Sequence, residues 1–310
     1  MLQLKSLHHV HVQVRDLAGH QRFTEAFGLT PAGDAAGTTY YRTAGDAAYS
    51  LVAQQGDDTR LRAIAFNAES RQVLDRAVNE YGATAVRRLD GPGGGVAVSL
   101  KDPDGTTIDL VFGIEPRQPD PLRQPPVINY PSRRERFNHT HALPTHGPAQ
   151  LLRLGHVGLF VGDFRRTTEW YGEVLGLVPS DRLFAGAPQN FIGGFYRLGR
   201  GAEWVDHHTM AIFAMGKPGV HHMSFEVCDI EQQMFAHRHL QKRGFEPVWG
   251  VGRHPLGSHV FDLWKDPNGL RFETFTDTDW CNDQRQCRDY PVQEAEMDHW
   301  SNDGHERYFA

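Results

Sequence analysis

The stretch Gly219-Val-His-His-Met-Ser-Phe-Glu-Val227 places two adjacent histidines at the start of an alternating apolar segment. Such alternation is typical of a β-strand, in which successive side chains point to opposite faces of the sheet. His222 should then share a face with Ser224, while the apolar side chains between them face a core. By the same alternation, His221 should point away from His222. The stretch therefore predicts a strand that offers one imidazole to the interior of a sheet.

Two further β-like segments each carry one side chain of the metal-ligand type. His156 lies in Leu154-Gly-His-Val-Gly-Leu-Phe-Val161, and Glu273 lies in Leu270-Arg-Phe-Glu-Thr-Phe275. Alternation puts both side chains on the less aliphatic face of their strand. Two imidazoles and one carboxylate, with coordination positions left open, form the ligand set of non-haem Fe(II) oxygenases. If the three strands converge, His156, His222 and Glu273 are candidate metal ligands.

Composition sets the broad class of the protein. The 310 residues are enough for two domains of ordinary size, and a net charge of −6 argues against a nucleic-acid or anionic-membrane surface. No apolar run reaches the length of a membrane span. The three cysteines fit no zinc motif or disulfide framework. We therefore expect a cytoplasmic protein with no nucleic-acid or membrane partner.

An internal repeat divides the chain into two similar parts. Leu7–Leu17 resembles Leu154–Phe164, and Lys101–Leu110 resembles Lys265–Thr274 around the turn signals Asp-Pro-Asp-Gly and Asp-Pro-Asn-Gly. Amphipathic segments, each ending at a glycine, predict four helices. The predicted class is α+β, with two tandem modules of paired βαβββ repeats that form half-closed sheets. The predicted helices span Leu17–Gly28, Glu69–Gly82, Phe164–Gly176 and Ile230–Gly244.

The same reading sets the domain bounds. We expect an N-terminal module over 1–115, a linker rich in Pro and Arg over 116–149, a C-terminal module over 150–280 and an acidic tail over 281–310. The tail carries spaced aromatic side chains, which favour packing against the body or a neighbouring subunit. A lid or a subunit contact is therefore a possible role for it.

Only the C-terminal module carries the full set of candidate ligands. In the repeat alignment His9 matches His156 and Asp109 matches Glu273, but the counterpart of His222 is Ala63. The N-terminal module therefore cannot complete a three-ligand site from its own strands. We expect it to keep the scaffold without the metal.

Four motifs in this order give the chain a family resemblance. They are Gly155-His-Val157, His221-His-Met-Ser-Phe-Glu-Val227, Gly252-Arg-His-Pro-Leu-Gly-Ser-His259 and Asp266-Pro-Asn-Gly-Leu-Arg-Phe-Glu273. Together they resemble the two-domain type I extradiol ring-cleavage dioxygenases of the vicinal oxygen chelate superfamily, which include catechol 2,3-dioxygenase-like enzymes. The resemblance covers the chain up to about residue 280.

The resemblance implies an oxidoreductase of aromatic hydrocarbon catabolism. Family members hold Fe(2+), or Mn(2+), through two histidines and a glutamate, which would here be His156, His222 and Glu273. With O2 as co-substrate they open a catecholic ring next to the diol and give a muconic semialdehyde-type product. The expected partner is a small aromatic diol, and family members are commonly homo-oligomers.

Two histidines match catalytic positions of the family. His208, with His207 as the alternative, matches a histidine that stabilises and protonates the bound oxygen. His254 matches a histidine near the substrate hydroxyls. Histidine suits both roles because its ordinary pKa lies near neutrality.

The substrate-binding wall departs from the family at one position. Many relatives carry a tyrosine ten residues before the ligand glutamate, where this chain has Leu263. His259, or another polar group, would then take over the contact with substrate. Further candidates for the wall come from the stretch 190–196, which is rich in glycine and aromatic residues, and from just before the His207–His208 pair: Phe191, Phe195, Tyr196 and Trp204.

Two other classes of function remain open at this point. One is another metal-dependent vicinal oxygen chelate enzyme: a glyoxalase-like lyase, an isomerase or epimerase, or a 4-hydroxyphenylpyruvate-type oxygenase. The other is a non-enzymatic binding protein of the drug-resistance type. Lyase sites typically want a fourth protein ligand, and binding proteins lack the triad, so the three candidate ligands and the nearby histidines favour oxygen chemistry.

Overall fold

Two mixed sheets, one per module, form the frame of the molecule. The computed structural model describes residues 1–35, 37–138, 147–301 and 308–309. The N-terminal module contains ten elements: β1 (Leu4–Val14), α1 (Leu17–Phe27), β2 (Thr30–Ala35), β3 (Thr38–Arg42), β4 (Leu51–Gln55), β5 (Arg60–Ala68), α2 (Arg71–Tyr81), β6 (Arg87–Arg88), β7 (Val96–Lys101) and β8 (Thr107–Phe112).

The second module repeats this order with additions. Its elements are β9 (Leu151–Val161), α3 (Phe164–Leu175), β10 (Leu177–Phe184), β11 (Phe191–Leu198), β12 (Val205–Asp206), β13 (Met210–Ala214), β14 (Gly219–Val227), α4 (Ile230–Lys242), β15 (Pro247–Arg253), β16 (Val260–Lys265), β17 (Arg271–Thr276), β18 (Trp280–Cys281) and β19 (Arg288–Pro291).

Each large sheet is built from two βαβββ repeats joined through their first strands. The first sheet has the order β2-β3-β4-β1-β5-β8-β7-β6, and the second has β15-β16-β17-β14-β9-β13-β11-β10-β19. The first strands of the paired repeats run antiparallel, β1 with β5 and β9 with β14. The curled sheets confirm the predicted class of tandem βαβββ modules.

The four helices begin and end within about two residues of the predicted positions. Three start after a side chain that accepts a backbone N–H at the first turn, namely Asp16, Asp163 and Asp229. Gly82 and Gly176 adopt left-handed backbone conformations, with φ of 71° and 73°, directly after the helices that they end. Glycine is favoured there because it has no Cβ to oppose a positive φ.

One apolar core joins the two modules. Helix α1 of the first module packs Phe23 and Phe27 against Phe225 and Phe272 of the second module's sheet, with ring centroids 5.2–6.4 Å apart along this aromatic cluster. Nearby, the buried His20 Nδ1 lies 2.7 Å from Asp266 Oδ2 in the Asp-Pro-Asn-Gly turn. The largest cluster of core side chains therefore contains residues of both modules, and smaller clusters lie within each module.

The linker and the tail both attach to the modules where they are described. Arg117 and Asp120 bind the loop around Ala44 and Asp46 through backbone hydrogen bonds of 2.8 Å. In the tail, β19 extends the second sheet by pairing in parallel with β10. Residues 139–146 of the predicted linker lie outside the described residues. No helix in the described part of the chain is long and apolar enough to cross a membrane.

Candidate metal centre

The three strands that carry the candidate ligands lie side by side in the second sheet. Ser224 of β14 is paired with His156 of β9 on one side and with Glu273 of β17 on the other. The ligand atoms of His156, His222 and Glu273 lie within 4.8 Å of one another. All three side chains are buried, with exposures of 0–3%. The fold thus brings together two imidazoles and one carboxylate from three adjacent strands.

A glycine makes room for the imidazole of His222. Gly158 is its cross-strand partner, and a Cβ on Gly158 would lie 2.5 Å from the His222 ring. In the first module the equivalent pair is His11 opposite Ala63. Each module therefore has one histidine and one small residue at this cross-strand pair. The histidine is on β1, the strand of the first repeat, in the first module, but on β14, the strand of the second repeat, in the second module. This register agrees with the repeat alignment that matched Ala63 to His222.

The paired histidines both lie on the concave side of the sheet. Val220 pairs with Leu159 and His222 pairs with the next residue, Gly158, so His221 is an extra residue in β14. Such a bulge interrupts the alternation of faces. The His221 ring accordingly lies 4.9 Å from the ring of Phe160 and 4.9 Å from that of His222. The expectation that His221 points away from His222 is therefore wrong.

His221 connects His222 to the C-terminal tail. Its Nδ1 lies 2.6 Å from His222 Nδ1, and its Nε2 lies 2.9 Å from the carbonyl oxygen of Tyr308. Arg271 Nη1 donates to the same carbonyl at 2.6 Å and lies 2.6 Å from His221 Nε2. Burial, followed by the Arg271 charge, lowers the pKa of His221 to about 3. His221 is therefore neutral and has one ring proton.

The position of that proton decides whether His222 can bind a metal through Nε2. If His221 Nε2 donates to the Tyr308 carbonyl, His221 Nδ1 accepts a proton from His222 Nδ1 and the lone pair of His222 Nε2 stays free. The other tautomer, with Nε2 accepting from Arg271, leaves a proton on His222 Nε2. A hydrogen bond on the far ring nitrogen is the usual way in which a ligand histidine is oriented.

The electrostatics of the cluster match a divalent cation. Burial holds the pKa of His222 well below 6.5, so that its imidazole is neutral. Burial alone would raise the pKa of Glu273, but the facing imidazoles of His222 and His156 outweigh it and keep the carboxyl ionised. His222 Nε2 and both ring nitrogens of His259 are buried without a hydrogen-bond partner among the described residues. Neutral imidazoles beside a buried carboxylate are the forms that bind a metal.

Two other groupings of side chains satisfy the same distance condition. One is His156, His208 and His259, and the other is His254, His259 and Glu273. Together the three groupings make a cluster of five histidines around one glutamate, and all come from the second module. His259, which the sequence offered as a substrate contact, thus lies among the candidate ligands.

A buried chain of hydrogen bonds orients His208. Asp181 Oδ2 lies 2.6 Å from His207 Nε2, and His207 Nδ1 lies 3.1 Å from His208 Nδ1. Because the carboxylate accepts, His207 donates through Nε2 and accepts from His208 through Nδ1. The Nε2 lone pair of His208 then faces the cluster, where its ring lies 4.3 Å from that of His156. His207, which the sequence offered as the alternative catalytic histidine, is therefore the hydrogen-bond partner of His208 in this chain of contacts.

The variant Asp181→Asn tests this chain of hydrogen bonds. We expect turnover to fall roughly 10- to 100-fold, because His207 would no longer be held in one tautomer and the ion pair of Asp181 with Arg285, at 2.8 Å, would be lost as well. Metal content should stay unchanged. Steady-state rates and elemental analysis measure both. The control is Asp289→Asn, since Asp289 pairs with Arg182 at the exposed edge of the same sheet; an equal loss in the control would contradict the assignment.

An apolar cavity of about 230 Å³ lies beside the cluster. Its wall reaches His254, whose Nδ1 donates to the carbonyl oxygen of Met297 at 2.6 Å. The Nε2 atom of His254 is thereby left as an acceptor toward the centre. The other described wall residues are mostly apolar and include Leu183, Ile192, Phe195, Phe213, Leu256 and Phe309.

Three of the predicted wall residues lie elsewhere. Ile192 is an extra residue in β11, so the strand alternation changes there and Phe191 turns out of the cavity to pack under the Arg182 guanidinium, 4.1 Å from its ring centroid. Tyr196 is part of the main core. Trp204 is 60% exposed and lines a cleft between the modules together with Trp280. Of the four aromatic side chains, only Phe195 lines the cavity.

Leu263 packs with Tyr308, a tail residue that the sequence analysis did not single out. It is fully buried, pairs with Glu273 across the sheet, and packs with Trp249, Phe261 and Tyr308. The Tyr308 hydroxyl lies 3.4 Å from Glu273 Oε2. The spaced aromatic residues of the tail were the only sequence signal for this contact, since Tyr308 is far from β16 in the chain.

In the first module, Asp109, the counterpart of Glu273, takes part in an ion pair. Asp109 Oδ2 lies 2.8 Å from Arg87 Nη2, and its other oxygen accepts from the Ser99 hydroxyl. His9 contacts His8 through a 2.7 Å distance between Nδ1 atoms. The carboxylate that matches Glu273 therefore already has a cationic partner.

Curled βαβββ modules with a buried His–His–Glu cluster define a protein of the vicinal oxygen chelate class. The sequence profile of the Glyoxalase/Bleomycin resistance protein/Dioxygenase superfamily matches residues 153–274. Metapyrocatechase 2 of Cupriavidus necator is 30% identical over 289 residues, which cover 89% of this chain and 82% of the relative. The chain belongs to this superfamily and is homologous to metapyrocatechase, which confirms the predicted resemblance.

Similar folds occur in solved structures with lower sequence identity. The Mn(II)-bound glyoxalase from Novosphingobium aromaticivorans has a TM-score of 0.79 at 21% identity, over 97% of this chain and 92% of that one. Homoprotocatechuate 2,3-dioxygenase from Brevibacterium fuscum, complexed with 3,4-dihydroxyphenylacetate, has a TM-score of 0.78 at 19% identity, over 99% and 92%. At these sequence identities, the two comparisons show a similar fold only.

Proposed function

We propose that the protein is an extradiol dioxygenase that uses O2 to cleave a catecholic ring next to the diol, giving a muconic semialdehyde-type product. The observation that carries the proposal is the buried cluster of His156, His222 and Glu273 on three adjacent strands. The homology to metapyrocatechase supports it. The proposed cofactor is Fe(2+), with Mn(2+) as the alternative, because the same ligand set serves both ions.

The metal would supply a Lewis acid that binds the diol and brings O2 beside it. The chain's own residues have three tasks in this reaction. Burial of the cluster excludes water, the cavity orients the ring, and histidines move protons. With their Nδ1 atoms engaged elsewhere, His208 and His254 each present Nε2 to the centre as a proton acceptor. Either can take the proton that a diol hydroxyl loses, and the histidine that has taken it can return it to a reacting oxygen.

The cavity favours a small, apolar-substituted catechol. A cavity of roughly 150 Å³ holds one benzene molecule, and the cavity here has about 230 Å³. Its wall is mostly apolar. The charged residue Glu296 also lines it, and this tail residue is exposed to solvent. A single ring with an alkyl or aryl substituent matches this composition better than a ring with an anionic side chain.

A metal-dependent lyase or isomerase is the second candidate, since the fold is also that of a Mn(II)-bound glyoxalase. The neighbourhood of the proposed ligands favours oxygen chemistry. The polar groups around them include His208, His254 and His259, which are neutral because burial lowers the pKa of each. The first module's Asp109 is paired with Arg87 and belongs to its own sheet.

Anaerobic purification followed by metal analysis and an oxygen-uptake assay tests the proposal. We expect close to one iron or manganese per chain, uptake of O2 on addition of catechol, and a yellow product that absorbs visible light. Enzyme stripped with a chelator should be inactive and should recover with Fe(2+) or Mn(2+). Bound zinc or nickel together with a colourless reaction that consumes no O2 would contradict the dioxygenase and favour the lyase.

A further inference from the structure

Tyr308 places a phenol inside the metal centre from the far end of the chain. Its side chain is 2% exposed, and its hydroxyl lies 3.4 Å from Glu273 Oε2. Its ring centroid lies 5.6 Å from that of His254 and 6.4 Å from that of His222. The hydroxyl therefore lies among the proposed ligands and the proton-accepting histidines, although it belongs to the C-terminal tail.

Among the described residues, the hydroxyl has no strong partner that would hold it in place. A distance of 3.4 Å to the Glu273 carboxylate exceeds the 2.5–3.0 Å of ordinary O–H···O hydrogen bonds. Leu263 of β16, which belongs to the same cluster as Tyr308, has no side-chain polar atom to offer. A buried hydroxyl with one long contact can turn its proton to a ligand that enters the site.

We propose that Tyr308 binds the substrate by donating its hydroxyl proton to a diol oxygen, in the place where Leu263 offers only hydrocarbon. The inference rests on the proposed function and assigns to the C-terminal tail a direct contact with substrate. Tyr308 is thus a specificity and orienting residue of the same site. The proposed ligands His156, His222 and Glu273 keep their roles.

The anchoring of Tyr308 supports a functional position for its side chain. Its carbonyl oxygen lies 2.9 Å from His221 Nε2 and 2.6 Å from Arg271 Nη1. Its ring is wedged between Trp249, Phe261 and the ring of His221, which is 4.8 Å away. The bulged His221 therefore contacts both His222 and Tyr308. Through it, the order of the tail is linked to the order of the candidate metal site.

Tyr308→Phe removes the hydroxyl and keeps the ring that seals the site. We expect metal content to be unchanged, the dissociation constant for 4-nitrocatechol under anaerobic conditions to rise about tenfold, and kcat/KM for catechol to fall at least as much, because one hydrogen bond is lost. Tyr290→Phe is the matched control, since it deletes the same atom from a half-buried tail tyrosine on β19. The control should behave as the wild type.

A second pair of variants distinguishes the loss of the hydroxyl contact with substrate from a general loss of order in the tail. In Tyr308→Ala the ring that covers Leu263 is gone, so Leu263→Tyr can be added in the same chain to bring a phenol to the site from β16. Recovery of 4-nitrocatechol affinity in the double variant, relative to Tyr308→Ala alone, is the expected result. The proposal is overturned if Tyr308→Phe binds and turns over as the wild type does. If the wild type itself neither binds 4-nitrocatechol nor cleaves catechol, the proposed function fails, and the role of Tyr308 with it.

Discussion

His222→Ala is expected to strip the metal from the protein. The imidazole of His222 has its Nδ1 held by His221 and its Nε2 buried without a hydrogen-bond partner among the described residues, so the variant removes a ligand and one of the two imidazoles that face the Glu273 carboxylate. It also recreates, in the second module, the residue that the first module has at Ala63. We expect metal per chain to fall to background after desalting, as measured by elemental analysis, with no detectable oxygen uptake.

The control for His222→Ala is His9→Ala. His9 is the counterpart of His156 in the first module and is likewise buried, with 6% exposure. It should keep full metal content and turnover. His259→Ala distinguishes the alternative groupings, because His259 takes part in both of the other candidate sets. Metal loss in His259→Ala with retention in His222→Ala would show that the ligand set is wrong.

His208→Ala should have the opposite profile. The imidazole lies 4.3 Å from the ring of His156 and presents Nε2 to the centre, but the proposed ligand set does not need it. Metal content and anaerobic binding of 4-nitrocatechol should therefore stay near wild-type values. Turnover should fall about 10²- to 10⁴-fold, the usual contribution of a positioned acid or base. Single-turnover kinetics with catechol and O2 measure this separately from binding.

The same His9→Ala variant controls for the loss of one buried imidazole. Retention of more than half of the wild-type turnover in His208→Ala would contradict a role for His208 in proton transfer. Loss of the metal in His208→Ala would instead favour the grouping of His156, His208 and His259 as the ligand set.

The repeat allowed much of the fold to be predicted from the sequence. Strand alternation and glycine-terminated helices are local signals, and they placed all four helices and the three strands that converge on Glu273. Alignment of the two halves then identified Ala63 as the odd position, and the register of β5 against β1 agrees with it. These features depend on residues close together in the chain or on a comparison within it.

The failures come from bulges and from long-range packing. A single extra residue reverses which face a side chain occupies, so His221 and Phe191 lie on faces that alternation does not predict. Trp204 looked like a wall residue because it precedes the His207–His208 pair, but it lines the cleft between the modules, and the strand that follows it, β12, pairs with β18. Tyr308 contacts Glu273 from 35 residues away, and the spaced aromatic residues of the tail predict packing but not this partner.

The continuous core between the modules has a thermodynamic consequence. Because α1 buries Phe23 and Phe27 against Phe225 and Phe272, separating the halves would expose a large aromatic surface to water. Packing against the first module therefore contributes part of the free energy that keeps the strands of the second module in register. Natural selection acting on the chemistry of one half must preserve both, since the largest hydrophobic cluster contains residues of each half. The half without the ligand triad persists as the other's structural complement.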